Sequence, residues 1–180
     1  MVRLKLFVIA LLGFSQAIAA QETCVGQPNA QAPDALTQFN FLLGTHEVTL
    51  HAWLGETWSP ARPINAQWRG WYGLEGFAIY DEWIDPDPTR GGRGINVRMY
   101  DPDEGLWKMM WISTRGKQVQ DLRAQLRDGV MTMWNVDRAG WKAEFEMLGN
   151  TAWARADYQQ NEAGDWVPQF RLVATRQGCG

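Results

Sequence analysis

Trp141-Lys142-Ala143-Glu144-Phe145-Glu146-Met147-Leu148-Gly149-Asn150-Thr151-Ala152-Trp153-Ala154-Arg155-Ala156-Asp157-Tyr158 alternates apolar and polar side chains, breaks at Gly149-Asn150, and alternates again. Period two sustained over such runs is the pattern of a strand with one buried face, and Gly-Asn between two of them reads as a hairpin turn. A two-residue turn sets Leu148 opposite Thr151, Lys142 opposite Asp157 and Glu144 opposite Arg155, so opposite charges meet on one face. The other face collects Trp141, Ala143, Phe145 and Met147 against Ala152, Ala154, Ala156 and Tyr158, which is the wall of an interior.

Outward from this hairpin the same pattern recurs. Residues 45–54, 62–72, 77–84, 94–101, 106–114, 118–127, 130–137, 141–148, 151–160 and 166–176 are ten candidate strands, separated by Gly, Asp, Asn and Pro turns. No long segment of helical spacing interrupts them. A meander of this length closes most simply on itself, because closure removes the edges that aggregate. The expected fold is therefore all-β: a single antiparallel up-and-down barrel of about ten strands, with Leu36–Leu43 as a short helical plug ahead of it.

Turn lengths assign faces. With Gly73-Leu74-Glu75-Gly76 as a four-residue loop, Tyr72 faces Phe77, and the inner face carries Ala66, Trp68, Gly70, Tyr72, Phe77, Ile79, Asp81 and Trp83. Asp81 then sits opposite Trp68, where burial raises a carboxyl pKa unless a donor or cation is near. His46, sharing a face with Val48, Leu50 and Ala52, is one available partner, while His51 points outward. A Pro102–Gly105 loop puts Asn96, Arg98 and Tyr100 with Trp107, Met109 and Trp111. Arg115-Gly116 and Asp128-Gly129 turns extend that face through Gln120, Leu122, Ala124, Leu126, Met131, Met133 and Asn135. Either this face is interior and Arg98 enters the cavity, or one turn is a residue longer and Arg98 is an outer cation stacked on tryptophan.

The chain ends carry a different signal. Arg3 and Lys5 precede an apolar run from Leu6 to Leu12 and a small-residue exit at Ala17-Ile18-Ala19-Ala20. That is the pattern of a secretory signal peptide over residues 1–20, too short in its apolar core for a bilayer span. Gln21-Glu22-Thr23 lacks the small residues that precede a lipidated cysteine. The expectation is export to a periplasmic or secreted location without stable membrane insertion, leaving residues 21–180 as one domain. Without Arg3 and Lys5, 15 basic residues stand against 20 acidic, a net charge of −5 that offers no basic stripe for nucleic acid. Cys24 and Cys179 are the only cysteines, and in an oxidising compartment they form a natural disulfide pair.

The run Phe39-Asn40-Phe41-Leu42-Leu43-Gly44-Thr45-His46-Glu47-Val48 resembles the opening strand of small lipocalin-like (calycin-like) barrels of the DUF1579 type and, more distantly, of nitrobindin. Those families commonly have Trp where this chain has His46. The Tyr100-Asp101-Pro102 to Trp107 hairpin and the meander to Arg176 look similar as well. The nitrobindin resemblance implies haem on a histidine late in the chain, but the two histidines are His46 and His51, so that ligand is missing. The same scarcity argues against zinc. No cofactor or metal is expected.

No phosphate loop, G-x-S-x-G elbow, H-E-x-x-H helix or EF-hand loop is present. The acidic segment Asp81 to Asp87 reads as a strand end and an Asp-Pro turn, and Gly91–Gly94 as a hairpin loop. The chemistry is therefore expected inside the barrel: His46 and Asp81 as a buried hydrogen-bonded pair, or as the acid–base pair of an enzyme, with Trp68, Tyr72, Trp83, Arg98, Trp111, Asn135 and Tyr158 lining a ligand cavity. Three functions fit. The first is an exported barrel that binds a small hydrophobic or aromatic molecule. The second is a cofactor-free isomerase, lyase or cyclase. The third is a structural or interaction protein of the envelope, marked by outward Trp134 and Trp153.

Overall fold

The computed structural model describes residues 24–87, 89 and 92–178; the expected signal segment and Cys179 lie outside the described residues. Ten strands form where the alternation placed them: β1 (Gly44–Ala52), β2 (Arg62–Gly73), β3 (Ala78–Ile84), β4 (Arg93–Asp101), β5 (Leu106–Ser113), β6 (Val119–Arg127), β7 (Val130–Asn135), β8 (Trp141–Met147), β9 (Ala152–Gln160) and β10 (Trp166–Gly178). Each pairs antiparallel with its chain neighbours, and β1 pairs with β10 to close the barrel. The protein is thus a closed, antiparallel up-and-down barrel.

One end of the barrel is stoppered. A 3-10 helix, Asp34–Leu42, buries Leu36, Phe39 and Leu42. Residues three apart eclipse in a 3-10 helix, so these three make a single apolar stripe facing the barrel. Phe39 packs edge-on against Trp107 at 4.8 Å and Phe145 at 5.7 Å between ring centroids. The helix is latched by polar contacts: Trp107 Nε1 donates to Gln38 Oε1 at 3.0 Å, and the Tyr72 hydroxyl donates to Asn40 Oδ1 at 2.6 Å. Gly70 is required here, because a Cβ would overlap the Leu42 carbonyl as the helix end crosses β2. The up-and-down path sends the loops after β1, β3, β5, β7 and β9 to the opposite end, which has no such plug.

The β4–β5, β5–β6 and β6–β7 registers follow the expected turns: Arg98 faces Met109, Met109 faces Leu122, and Leu126 faces Met131. This face is the interior, and Arg98 is fully buried in it. Between β2 and β3 the expected register is corrected by two residues. Tyr72 faces Ile79 rather than Phe77, and Trp68 faces Trp83 while Asp81 faces Gly70. The chain stays in the ladder through Gly73 and turns over Leu74–Phe77, with Leu74, Glu75 and Gly76 all at positive φ. An even shift leaves Ile79, Asp81 and Trp83 on their expected face, but Phe77, expected inside, falls in the turn before β3 and is exposed.

Between β8 and β9 the correction is one residue, and its consequence is larger. Leu148 N donates to the Ala152 carbonyl at 2.9 Å, so the turn holds Gly149, Asn150 and Thr151. Lys142 faces Tyr158, Ala143 faces Asp157 and Phe145 faces Arg155, and the expected Lys142–Asp157 and Glu144–Arg155 pairs do not form. Every β9 side chain changes face. Trp153, Arg155 and Asp157 point inward, while Ala154, Ala156 and Tyr158 line the outer wall. Volume explains the choice: Trp153 packs against Trp68 at 5.3 Å, Phe41 at 5.7 Å and Phe145 at 6.0 Å, filling space that alanines would leave empty.

Candidate ligand-binding site

Side chains from the middle of the strands form a polar layer beneath the plug. Arg98 donates through Nε to Asp81 Oδ2 and through Nη2 to Oδ1 at 3.3 Å, both side chains being almost wholly buried. The guanidinium also lies 4.6 Å from the Phe39 ring centroid and donates from Nη1 to Met109 Sδ at 3.1 Å. Burial pushes the Asp81 carboxyl pKa up, opposed by the attached Arg98. This corrects the expected His46–Asp81 pair, since the acid is already satisfied by arginine. His46 is 1% exposed, faces Trp68 on β2 and Arg176 on β10, and leaves Nδ1 without a hydrogen-bond partner. Desolvation, with the positive Arg176 nearby, lowers its pKa from 6.5 to about 4, so it is neutral at ordinary pH. An ion-paired acid and a neutral imidazole with no bond between them are not an acid–base dyad.

Toward the unplugged end the interior opens into a cup. A chamber of about 380 Å³ is lined by Leu50, Trp68, Trp83, Trp111, Phe170 and Leu172, with Asp85, Ser113, Arg115 and Arg155 among its polar groups. A smaller space of about 140 Å³ lies against Trp68, Asn96, Trp111, Leu122, Met133, Trp141 and Arg155. Trp68 and Trp83 pack edge to face at 5.9 Å. The Trp111 ring lies across Gly94, where any Cβ would overlap the indole.

Two polar atoms here have no partner: the Asn96 side-chain oxygen and the Trp68 indole nitrogen, on residues that are each 3% exposed. Buried polar groups are normally bonded, and Trp68 and Asn96 are both residues of the cavity wall. Arg155 forks onto Asp157 through Nε at 2.8 Å and Nη2 at 2.7 Å, which leaves Nη1 outside the fork. Its guanidinium is 5.8 Å from the Trp141 ring centroid.

No family model matches the chain, and no curated protein does. Among solved structures, an S-type phycobiliprotein lyase from Guillardia theta aligns over 80% of this chain and 93% of its own, at 12% identity and a TM-score of 0.49. That is a likeness of chain path and carries no chemistry across.

Of the expected site residues, Trp68, Trp83 and Trp111 meet in the cup. Asn135 lines a neighbouring compartment with Gln120, Arg138, Trp141 and Asp157. Tyr72 belongs to the plugged end, bonded to Asn40, and Asp81, Arg98 and His46 form the layer between. Tyr158 is corrected to the outer wall, where the Lys142 ammonium sits 5.0 Å from its ring centroid. Trp153, expected outside, is 1% exposed within the core. Arg155, Asp157 and Phe170 were missed as site residues. A two-residue hairpin turn makes Arg155 and Asp157 outer charges, and the third turn residue brings them inside; Phe170 carries no local signal, since a β10 irregularity between Pro168 and Phe170 brings it opposite Asp157. The acidic run after Asp81 forms turns, with Asp87 N donating to Asp85 Oδ1 and Thr89 N to Asp87 Oδ1, both at 2.9 Å.

Proposed function

We propose that this protein is an exported, lipocalin-like barrel that binds a small hydrophobic or aromatic molecule in the cup at its unplugged end. The observation that carries the reading is a chamber of about 380 Å³ lined by Trp68, Trp83 and Trp111, with Arg155 among its polar groups. Flat indole faces supply apolar area, and the few polar groups on the chamber wall orient what enters. A binding role is favoured over catalysis because Asp81 is held by Arg98 and His46 is packed against Trp153 in the core with a pKa of about 4, so neither is set up to move a proton for a ligand in the cup. Export follows from the Arg3 to Ala20 pattern.

The test is native mass spectrometry and solvent extraction of protein purified from the envelope of its own host, with Trp111→Ala beside the wild type. A stoichiometric small molecule retained by the wild type and lost from the variant is the expected result. Repeated recovery of an empty barrel that shows no tryptophan quenching with any aromatic or acyl probe overturns the proposal.

A further inference from the structure

The cup has two unlike halves. The tryptophan chamber is apolar, whereas the adjoining compartment, about 420 Å³, is walled by the side-chain amides of Gln120, Asn135, Gln159 and Gln169. Phe170 lines both. The Arg155–Asp157 fork stands at their boundary, with Arg155 fronting the tryptophans and Asp157 the amides. Both Asp157 oxygens are taken by Arg155, so the charge left in the amide compartment is that of Arg138. Its one side-chain bond goes to the neutral Gln159 Oε1 at 2.9 Å.

We infer that the ligand is an amphipathic monoanion, its ring system in the tryptophan chamber and its carboxylate or sulfonate among the amides beside Arg138. This rests on the binding function proposed above and adds the chemical class. An uncharged aromatic molecule uses one chamber and leaves the other to water. Gln159 and Gln169 already donate to the Gly140 and Val167 carbonyls, so an anionic group on the same skeleton meets a cation without a carboxylate partner and the amide N–H groups of Gln120 and Asn135, and charge-assisted bonds of this kind are the stronger ones. The ligand then straddles the Arg155–Asp157 fork, whose self-neutralisation keeps it from repelling either sign.

The experiment uses two dyes with one skeleton, 8-anilinonaphthalene-1-sulfonate and its uncharged parent N-phenyl-1-naphthylamine, titrated at low salt into wild type, Arg138→Gln, Arg138→Lys and Trp83→Phe. The expected wild-type preference for the sulfonate is about fivefold, the upper reach of a solvent-exposed ion pair. Arg138→Gln removes that preference while leaving the uncharged dye within about twofold, Arg138→Lys keeps it, and Trp83→Phe weakens both dyes. Arg138 is exposed, so near-UV circular dichroism of its variants should match the wild type. Equal binding of the two dyes to the wild type, or equal loss of both in Arg138→Gln, overturns the inference and leaves the binding function standing. Failure of the wild type to bind either dye overturns the binding function itself.

Discussion

At the scale of single residues, Asp81 and Arg98 are a buried pair whose removal by halves is costly. Asp81→Asn leaves the Arg98 guanidinium fully buried without its counter-charge. Breaking a buried pair in this way costs about 3 to 5 kcal/mol, while replacing both partners by apolar residues of similar volume is far milder. Denaturant unfolding should therefore show Asp81→Asn strongly destabilised and Asp81→Leu/Arg98→Met much less so; equal losses in the two would mean that packing, not charge, decides. His46 makes a separate prediction about acid. Its folded pKa of about 4 lies below the ordinary 6.5, so the unfolded chain binds the extra proton first. Its contribution is fully present above pH 6.5 and is lost as the pH falls toward 4, on the order of 3 kcal/mol in all. Thermal midpoints should fall across that window in the wild type, and His46→Gln should flatten the slope.

At the scale of elements, the plug helix and the turns carry the argument. The helix can seat only because β2 offers a glycine, so Gly70→Ala drives a methyl into the backbone of Leu42. Neither atom is the free end of a flexible side chain, and overpacking of this sort costs about 1 to 3 kcal/mol. The expected outcome is a lower thermal midpoint with faster exchange at the amides of Leu36 to Leu42; a variant as protected as the wild type would show that the plug is not held by this crossing. Turn length decides everything downstream of it. The loops at Pro102–Gly105 and Asp128-Gly129 are as short as they look and keep Asn96, Arg98 and Trp111 on the inner face. The turn after Leu148 takes in Thr151 as a third residue and turns Arg155 and Asp157 into the cup.

At the scale of the whole molecule, closure joins the first strand to the last: Thr45 faces Gly178, next to Cys179 in sequence. Cys24 is not a free thiol, and Cys179 is the one other cysteine in the chain. We expect the two to be bridged to each other, tying the segment before the plug to the end of β10. A loop of about 155 residues corresponds to about 5 kcal/mol in the chain-entropy model. Thiol labelling of unreduced, denatured protein should find neither sulfur reactive; quantitative labelling of both would exclude the bridge.

What could be read along the chain was whatever depends on neighbours in sequence. Alternation with period two is local, so all ten strands, the short plug and the inward faces of Trp68, Asp81 and Trp83 are legible in the sequence, whereas the face that carries Arg98 and Trp111 is settled only by the β4–β5 and β5–β6 registers. What lay beyond reach depends on strands meeting. On β9 the two faces, Ala154 and Ala156 against Trp153, Arg155 and Asp157, differ in size as well as polarity. Polarity favoured alanine inside; the barrel's need for volume put tryptophan there, and Arg155 and Asp157 followed because side chains on a strand change face together. The partner of Asp81 was equally beyond local reading: His46 and Arg98 are both inward-facing, and only the stagger of β1, β3 and β4 brings the guanidinium, not the imidazole, to the carboxylate.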